Sequence, residues 1–156
     1  MRIIGIDPGI ARTGWGIIDA QKSNCKAQDF GCIETHSSES LHERLNLLFS
    51  ELQQIIMQSK PQALAIEELF FNTNAKTALI VGQARGVVLL AAAQNKLPVA
   101  TYTPLQVKIA ITSYGRAEKS QIGHMVKSLL KLPVIPKPDD TADALAIALT
   151  HAFTVK

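Results

Sequence analysis

Short runs of β-branched, apolar residues alternate along this chain with longer stretches of helical periodicity. Ile3 to Ile6 reads as a buried strand; Asp7 ends it and Pro8-Gly9 turn the chain away. Thr13 to Ile18 reads as a second strand, which makes a hairpin with a carboxylate at its mouth. A third β-like segment lies around Phe30-Gly31-Cys32-Ile33. Ser40-Leu41-His42-Glu43 is a capping box with Ser40 as N-cap, and Leu41, Leu45, Leu48, Leu52 and Ile55 follow at helical spacing until Lys60-Pro61. Ala63 to Glu67 is again a short apolar strand that closes in acid. Ala75 to Asn95 predicts a long helix, apolar almost all round and therefore expected to be buried on several sides. Within it Gly82 and Gly86 lie one turn apart and suit close helix–helix approach. Pro98 to Thr103 predicts a strand, and Pro104 opens the helix after it. Ile122, Met125, Val126, Leu129 and Leu130 mark a further helix. The Pro-rich Leu132 to Pro138 linker leads into a last helix, roughly Asp139 to Phe153.

Hairpins first and β-α-β units afterwards predict a mixed sheet with helices packed on its faces. A site then belongs outside the carboxyl ends of the parallel strands. No repeat or linker divides the chain, so its 156 residues are expected to form a single domain over residues 1–156.

Composition narrows the function classes. A hydrophobic content of 47% excludes a disordered chain. The longest apolar run, Gly86 to Ala93, is too short to span a bilayer, and the N-terminus enters a strand without a basic, cleavable leader. No membrane association and a cytoplasmic address are expected. Cys25 and Cys32 fit neither a zinc knuckle nor a redox pair and read as small apolar residues. The histidines, His36, His42, His124 and His151, have no metal-like spacing and read as structural. Net charge is only +3, but nine basic residues and one acid lie between Leu69 and Pro138, whereas before Leu69 nine acids face six bases. One part of the chain thus favours a polyanion while the ends supply carboxylates.

The acids form the candidate chemistry. Asp7 and Glu67 each close an apolar strand, and if those strands are parallel neighbours their ends lie about 4.8 Å apart. Asp139-Asp140-Thr141-Ala142-Asp143 opens the last helix, where Asp140 and Asp143 share a face. Capping also accounts for this cluster, with Asp139 as N-cap and acids in the first turn suiting the helix dipole. Two carboxylates about 4 Å apart repel by roughly 4 kcal/mol at an effective dielectric near 20, so three or four converging would require a cation. Oxygen-only ligands suit a hard ion, Mg²⁺ or Mn²⁺, and a pair of such ions serves phosphodiester hydrolysis. From spacing alone Glu68 and Asp139 remain rivals to Glu67 and Asp140.

The motifs IGIDPG, AIEELFF, GQARG, AEKSQ, KLP and DDTADALAIA stand in this order from Arg2 to about His151. Together they resemble the RuvC family of bacterial Holliday junction resolvases. The resemblance implies a ribonuclease H-like fold, a mixed five-stranded sheet flanked by helices. It also implies a homodimer that nicks opposing strands of four-way junction DNA in recombination and repair. It places the catalytic and metal-binding acids on Asp7, Glu67, Asp140 and Asp143, the AIE and DxxDAL patterns deciding against Glu68 and Asp139. In some relatives a histidine stands where this chain has Asp140. It implies DNA contacts from Lys108 and Lys119 and stacking of Phe70 on opened bases, while two Mg²⁺ ions per active site, with Mn²⁺ able to substitute, are expected from the hardness of the ligands alone. It further implies coupling to the branch-migration proteins RuvA and RuvB. The Ala75–Asn95 helix is the expected dimer interface.

Three other readings share these residues. The Asp7-Pro8-Gly9 hairpin is similar to the phosphate-binding hairpin of actin and sugar-kinase ATPases, which need two such domains. A junction-binding module whose acids only cap and turn would bind without cutting. A ribonuclease H-like nuclease for another substrate, such as an RNA–DNA hybrid, would differ only in preference.

Overall fold

The computed structural model describes residues 1–21, 24–68 and 74–155. Five strands, β1 (Arg2–Asp7), β2 (Arg12–Gln21), β3 (Asn24–Glu34), β4 (Ala63–Glu67) and β5 (Val99–Tyr102), form one sheet in the order β3-β2-β1-β4-β5. β1, β2 and β3 pair antiparallel in succession, β4 lies parallel to β1, and β5 lies parallel to β4. The sheet is therefore mixed and five-stranded, as the hairpin-then-βαβ order predicts. β2 runs past Ile18 to Gln21 because the polar residue that breaks its apolar pattern is held in place. Asp19 takes the Arg2 guanidinium in two hydrogen bonds of 2.8 and 2.9 Å across the β1–β2 ladder.

Strand alternation decides what each face carries. Ile4, Ile6, Ile17, Leu64 and Ile66 point to one face, packed with Leu48, Leu52 and Ile56 of α1 (Leu41–Ser59) and Ala84 and Val88 of α2 (Ala75–Gln94). Ile3, Ile18 and Ala65 point to the other. There they meet Val107 and Ile111 of α3 (Pro104–Thr112), Ile122 and Val126 of α4 (Lys119–Leu129), and Leu145 and Leu149 of α5 (Asp139–Thr154). The same period carries Gly5 and Asp7 of β1, and Glu67 of β4, to the α5 side.

Helix boundaries follow local chemistry. Glu43 accepts the Ser40 backbone N–H at 3.2 Å and its hydroxyl at 2.6 Å at the start of α1, whose last turn closes on Lys60 in the left-handed region. Pro104 opens α3 behind a Thr103 cap, with Gln106 completing the box. Two expectations change. Asp139 is not the N-cap of α5: Pro138, extended and without a side-chain donor or acceptor, holds that place, and Asp139 is the first helical residue, 3.0 Å from Lys137.

α2 is likewise not buried on several sides. Only Ala78, Ala84, Val88, Ala91 and Ala92 are buried, against the sheet and α1, while Leu79 is 64% and Leu90 52% exposed. A Cβ on Gly86 would meet nothing within 4 Å. One sheet face and one neighbouring helix cover only part of a helix that is apolar all round. The helix is also, at 20 residues and mean hydropathy 1.4, long and apolar enough to cross a membrane. A count of consecutive apolar residues hides this, because Arg85 and Lys76 interrupt the run.

Candidate active site

α5 reaches the site by lying on glycines. Gly5 on β1 pairs with Gly16 on β2, and Asp7 pairs with Gly14. A Cβ on Gly5 would come within 2.1 Å of the Ala144 carbonyl, one on Gly14 within 1.9 Å of the Asp140 carbonyl, and one on Gly16 within 2.6 Å of the Leu145 side chain. Any side chain at Gly5 or Gly14 would lift the helix backbone off the sheet. Thr141 fixes the first turn from above β3 by donating its hydroxyl to the Gly31 carbonyl at 3.1 Å. Below, the Asp7-Pro8-Gly9 turn is closed by Thr13, whose hydroxyl donates to the Gly9 carbonyl at 2.6 Å and whose side chain is fully buried.

This packing brings acids from three separated stretches to one place. Asp7, Glu67 and Asp143 line a cleft of about 310 Å³ together with Lys108, Lys119, Pro104, Val107, Ile122 and Ile147. Asp140 stands beside the cleft, over Gly14, and is not part of its wall. Of the rivals, Asp139 is exposed and paired with Lys137, and Glu68 is exposed just past β4. Phe70 falls among residues 69–73, outside the described residues.

The electrostatics are those of crowded carboxylates. Burial, followed by the charges of Asp143, Glu67 and Asp140, pushes Asp7 from 3.8 up to about 8, against the opposing pull of Lys119. Burial and Asp143 raise Glu67, while Lys119 and Lys108 oppose the shift. Burial raises Asp143 too, and Lys119 counters it directly, its ammonium donating to Asp143 Oδ2 at 3.1 Å. That contact in turn raises the Lys119 pKa.

The donor set, carboxylate oxygens without a histidine or thiol, fits a hard divalent ion, and the strain on Asp7 is the charge such an ion would balance. Among the described residues no three His, Cys, Asp or Glu side chains stand close enough to enclose an ion as they are placed. Lys119 meanwhile provides one compensating charge.

Sequence reasoning found the acids and both lysines of this cleft. It missed the glycines beneath α5, although Gly14 and Gly16 alternate in β2 as residues of one face must. It also gave no role to Arg85 of the GQARG stretch. Arg85 Nε donates to the Glu67 carbonyl at 3.3 Å, at the point where β4 delivers its acid. The cysteines are free as expected, Cys25 buried and Cys32 half-buried on β3. His151 is buried and its Nδ1 lies 2.8 Å from the Tyr102 hydroxyl.

The family described as "Crossover junction endodeoxyribonuclease RuvC" matches residues 3–151. A protein of that name from Caldicellulosiruptor saccharolyticus is 57% identical over 155 residues, covering 99% of this chain and 93% of the relative. Another, from Alkaliphilus oremlandii, is 54% identical over 99% of this chain and 94% of its own length. Among solved structures, Thermus thermophilus RuvC superimposes with a TM-score of 0.90 at 37% identity, over 98% of this chain and 94% of that one. The same protein in complex with a Holliday junction substrate gives 0.90 at 36% identity, with the same coverage. The yeast mitochondrial resolvase Ydc2, with a TM-score of 0.67 at 16% identity over 97% of this chain and 77% of its own, shares the fold. With a five-stranded mixed sheet, acids at two parallel strand ends and a family match over nearly its whole length, this chain belongs to the RuvC family of crossover junction endodeoxyribonucleases.

Proposed function

We propose that this chain, as a single nuclease domain over residues 1–156, resolves four-way DNA junctions by paired, metal-dependent hydrolytic nicks. The observation that carries the reading is the convergence of Asp7, Glu67 and Asp143 in one cleft with Lys108 and Lys119, within a chain of the RuvC family. Asp7, Glu67 and Asp143 would hold Mg²⁺, two ions per site with Mn²⁺ able to substitute, and Asp140 would complete the ligand set from its place beside Asp7. Bound there, divalent ions supply Lewis acidity toward the phosphate and ease deprotonation of water.

The chain's own residues do the rest. Lys108 and Lys119 hold the phosphodiester's anionic oxygens at the cleft and add sequence-independent affinity that falls as salt rises. When a phosphate takes Lys119 and an ion takes Asp143 together, the Lys119–Asp143 contact is exchanged without leaving either charge bare. Val107, Ile122 and Ile147 form the apolar wall that limits water around the reacting phosphate. Water adds to phosphorus, the bond to the 3′ oxygen breaks, and that oxygen takes the proton, leaving a 5′-phosphate and a 3′-hydroxyl.

The open apolar face of α2, with Leu79, Gly86 and Leu90, supports docking of a second copy. A two-fold dimer places two clefts on strands of like polarity, so paired cuts follow from symmetry. Phe70 would stack on bases opened at the crossover, RuvA and RuvB would supply the migrating junction, and chromosomal DNA as substrate implies a cytoplasmic address.

The test compares cleavage of a synthetic four-way junction, linear duplex and RNA–DNA hybrid with Mg²⁺, with Mn²⁺ and in chelator. Symmetric nicks in the junction alone, dependent on the ion, are expected. Preference for the hybrid would move the substrate assignment, and an intact junction in every condition would leave a binding module.

A further inference from the structure

The GQARG stretch places Arg85 midway along α2, beneath the carboxyl ends of β4 and β5. Its Nε donates to the Glu67 carbonyl at 3.3 Å and its Nη2 to Thr101 Oγ1 at 3.4 Å. These acceptors lie at the last rungs of the β4–β5 ladder, where Ile66 pairs with Thr101 and Glu67 with Tyr102. On the other side of β4, pairing with β1 ends at Ile6–Ile66. Beyond it β1 offers Asp7 and then Pro8, which has no N–H to extend the ladder. Pairing with β1 has therefore stopped at the peptide that follows Glu67, whose N–H, on Glu68, still donates to the Tyr102 carbonyl of β5 at 2.8 Å, and the planar, multi-donor guanidinium takes the carbonyl of that same peptide.

We propose that Arg85 is a positioning residue for Glu67. It holds the Glu67 carbonyl so that the carboxylate enters the cleft, and its second contact adds a side-chain tie to the backbone bond that already joins this peptide to β5, which continues through Thr103 into α3 and Lys108. The inference rests on the nuclease reading above and adds a residue to it.

The experiment uses the full chain with Arg85→Gln and Arg85→Lys. Three quantities are measured: junction affinity in chelator, single-turnover cleavage against Mg²⁺ concentration, and the Mg²⁺-induced rise in melting temperature. Arg85→Gln is expected to slow cleavage about 10–100-fold, the usual range for a residue that orients a metal ligand. It should also raise the Mg²⁺ needed for both the half-maximal rate and the thermal shift, with affinity within twofold of wild type. Arg85→Lys, which keeps one charged donor, should recover part of both. Unchanged cleavage and Mg²⁺ response would overturn the proposal. So would a rate loss fully explained by weaker junction binding, which would make Arg85 a DNA contact, or one that tracks melting temperature equally in both variants. If the wild type itself cuts no junction, the nuclease reading fails, and the Mg²⁺-induced thermal shift still decides whether Arg85 serves Glu67.

Discussion

Replacing Asp7 with Asn should make the metal-free protein more stable while removing its cleavage of DNA. Asp7 sits at the buried end of β1, and its carboxyl is pushed from 3.8 up to about 8 by burial and by Asp143, Glu67 and Asp140. At neutral pH the unfolded chain has lost this proton while the folded chain retains it, so the native state binds more protons and stability falls as pH rises. The penalty starts as pH climbs past the unfolded value near 3.8, grows by about 1.4 kcal/mol per pH unit, and saturates above the folded value. At pH 7, still below the folded value, the penalty has reached at most about 4 kcal/mol, and water entering the open cleft reduces this to about 2–3 kcal/mol.

Asparagine keeps the shape and cannot ionise, so it escapes the penalty. At about 2–4 °C per kcal/mol for a chain of this size, Asp7→Asn should melt roughly 5–10 °C above wild type at pH 7 in chelator. The gap should close towards pH 4 and stay constant above about pH 9. Added Mg²⁺ should narrow it from the other side, because an ion that binds only the folded wild type stabilises that form. Junction binding in chelator should survive the substitution. Thermal melts from pH 4 to 9, with and without Mg²⁺, decide the matter. A variant that melts at or below wild type throughout, or a gap that ignores pH, would refute the carboxylate-crowding account.

Other perturbations probe the remaining parts. Gly14→Val sets a side chain against the Asp140 carbonyl, and should cost about 1–3 kcal/mol or more by thermal melt, with cleavage lost as the first turn of α5 lifts. Leu90→Glu on the open face of α2 should halve the mass seen by sedimentation without lowering the melting temperature, and a wild type already monomeric would remove α2 as the interface. Lys119→Ala should change stability by less than about 1 kcal/mol, since the Lys119 side chain is 75% exposed. It should also make the logarithmic salt dependence of junction binding shallower by about 0.9 for each phosphate the ammonium no longer neutralises. Phe70→Ala should impair junction cleavage with an unmoved melting temperature, whereas a large fall in melting temperature would assign Phe70 to packing.

The sheet was legible in the sequence because strand alternation is a local signal. Ile3 to Ile6 and Ala63 to Ile66 are apolar on both faces, and a polar residue at the end of such a run can only be a strand terminus. That made Asp7 and Glu67 conspicuous before any contact was known. α2 was misjudged for the converse reason. Periodicity reports which residues are apolar, and an all-apolar helix gives no phase, so nothing in Ala75 to Asn95 said that Leu79 and Leu90 would face outward. The last helix starts at Asp139 as expected, and only the alternative of Asp139 as N-cap fails, because Asp is a strong N-cap and Pro138 takes that position through backbone geometry alone. Arg85 had no readable role, because its acceptor is a main-chain carbonyl eighteen residues away and carbonyls leave no trace in sequence.

The glycines under α5 explain how a site that opposes folding can be sustained at all. Asp7 lies two residues beyond Gly5 on the same face of β1, and Asp140 to Asp143 form the helix turn that rests on Gly14. Bringing backbone to backbone there costs no side-chain volume. It also lets α5 bury every residue from Ala144 to His151 between the sheet and its neighbouring helices. The repulsion among the acids is confined to the helix's first turn and the strand ends, while the apolar contacts that hold α5 lie one to three turns further on. Weakening those contacts should therefore unfold the chain without relieving the acids, and neutralising an acid should relieve the acids without loosening the core. Perturbations at Leu145 or Leu149 and at Asp7 are accordingly expected to add in stability, with an interaction energy within about 0.5 kcal/mol, and a larger coupling would show that the crowded carboxylates and the core are not separate in this way.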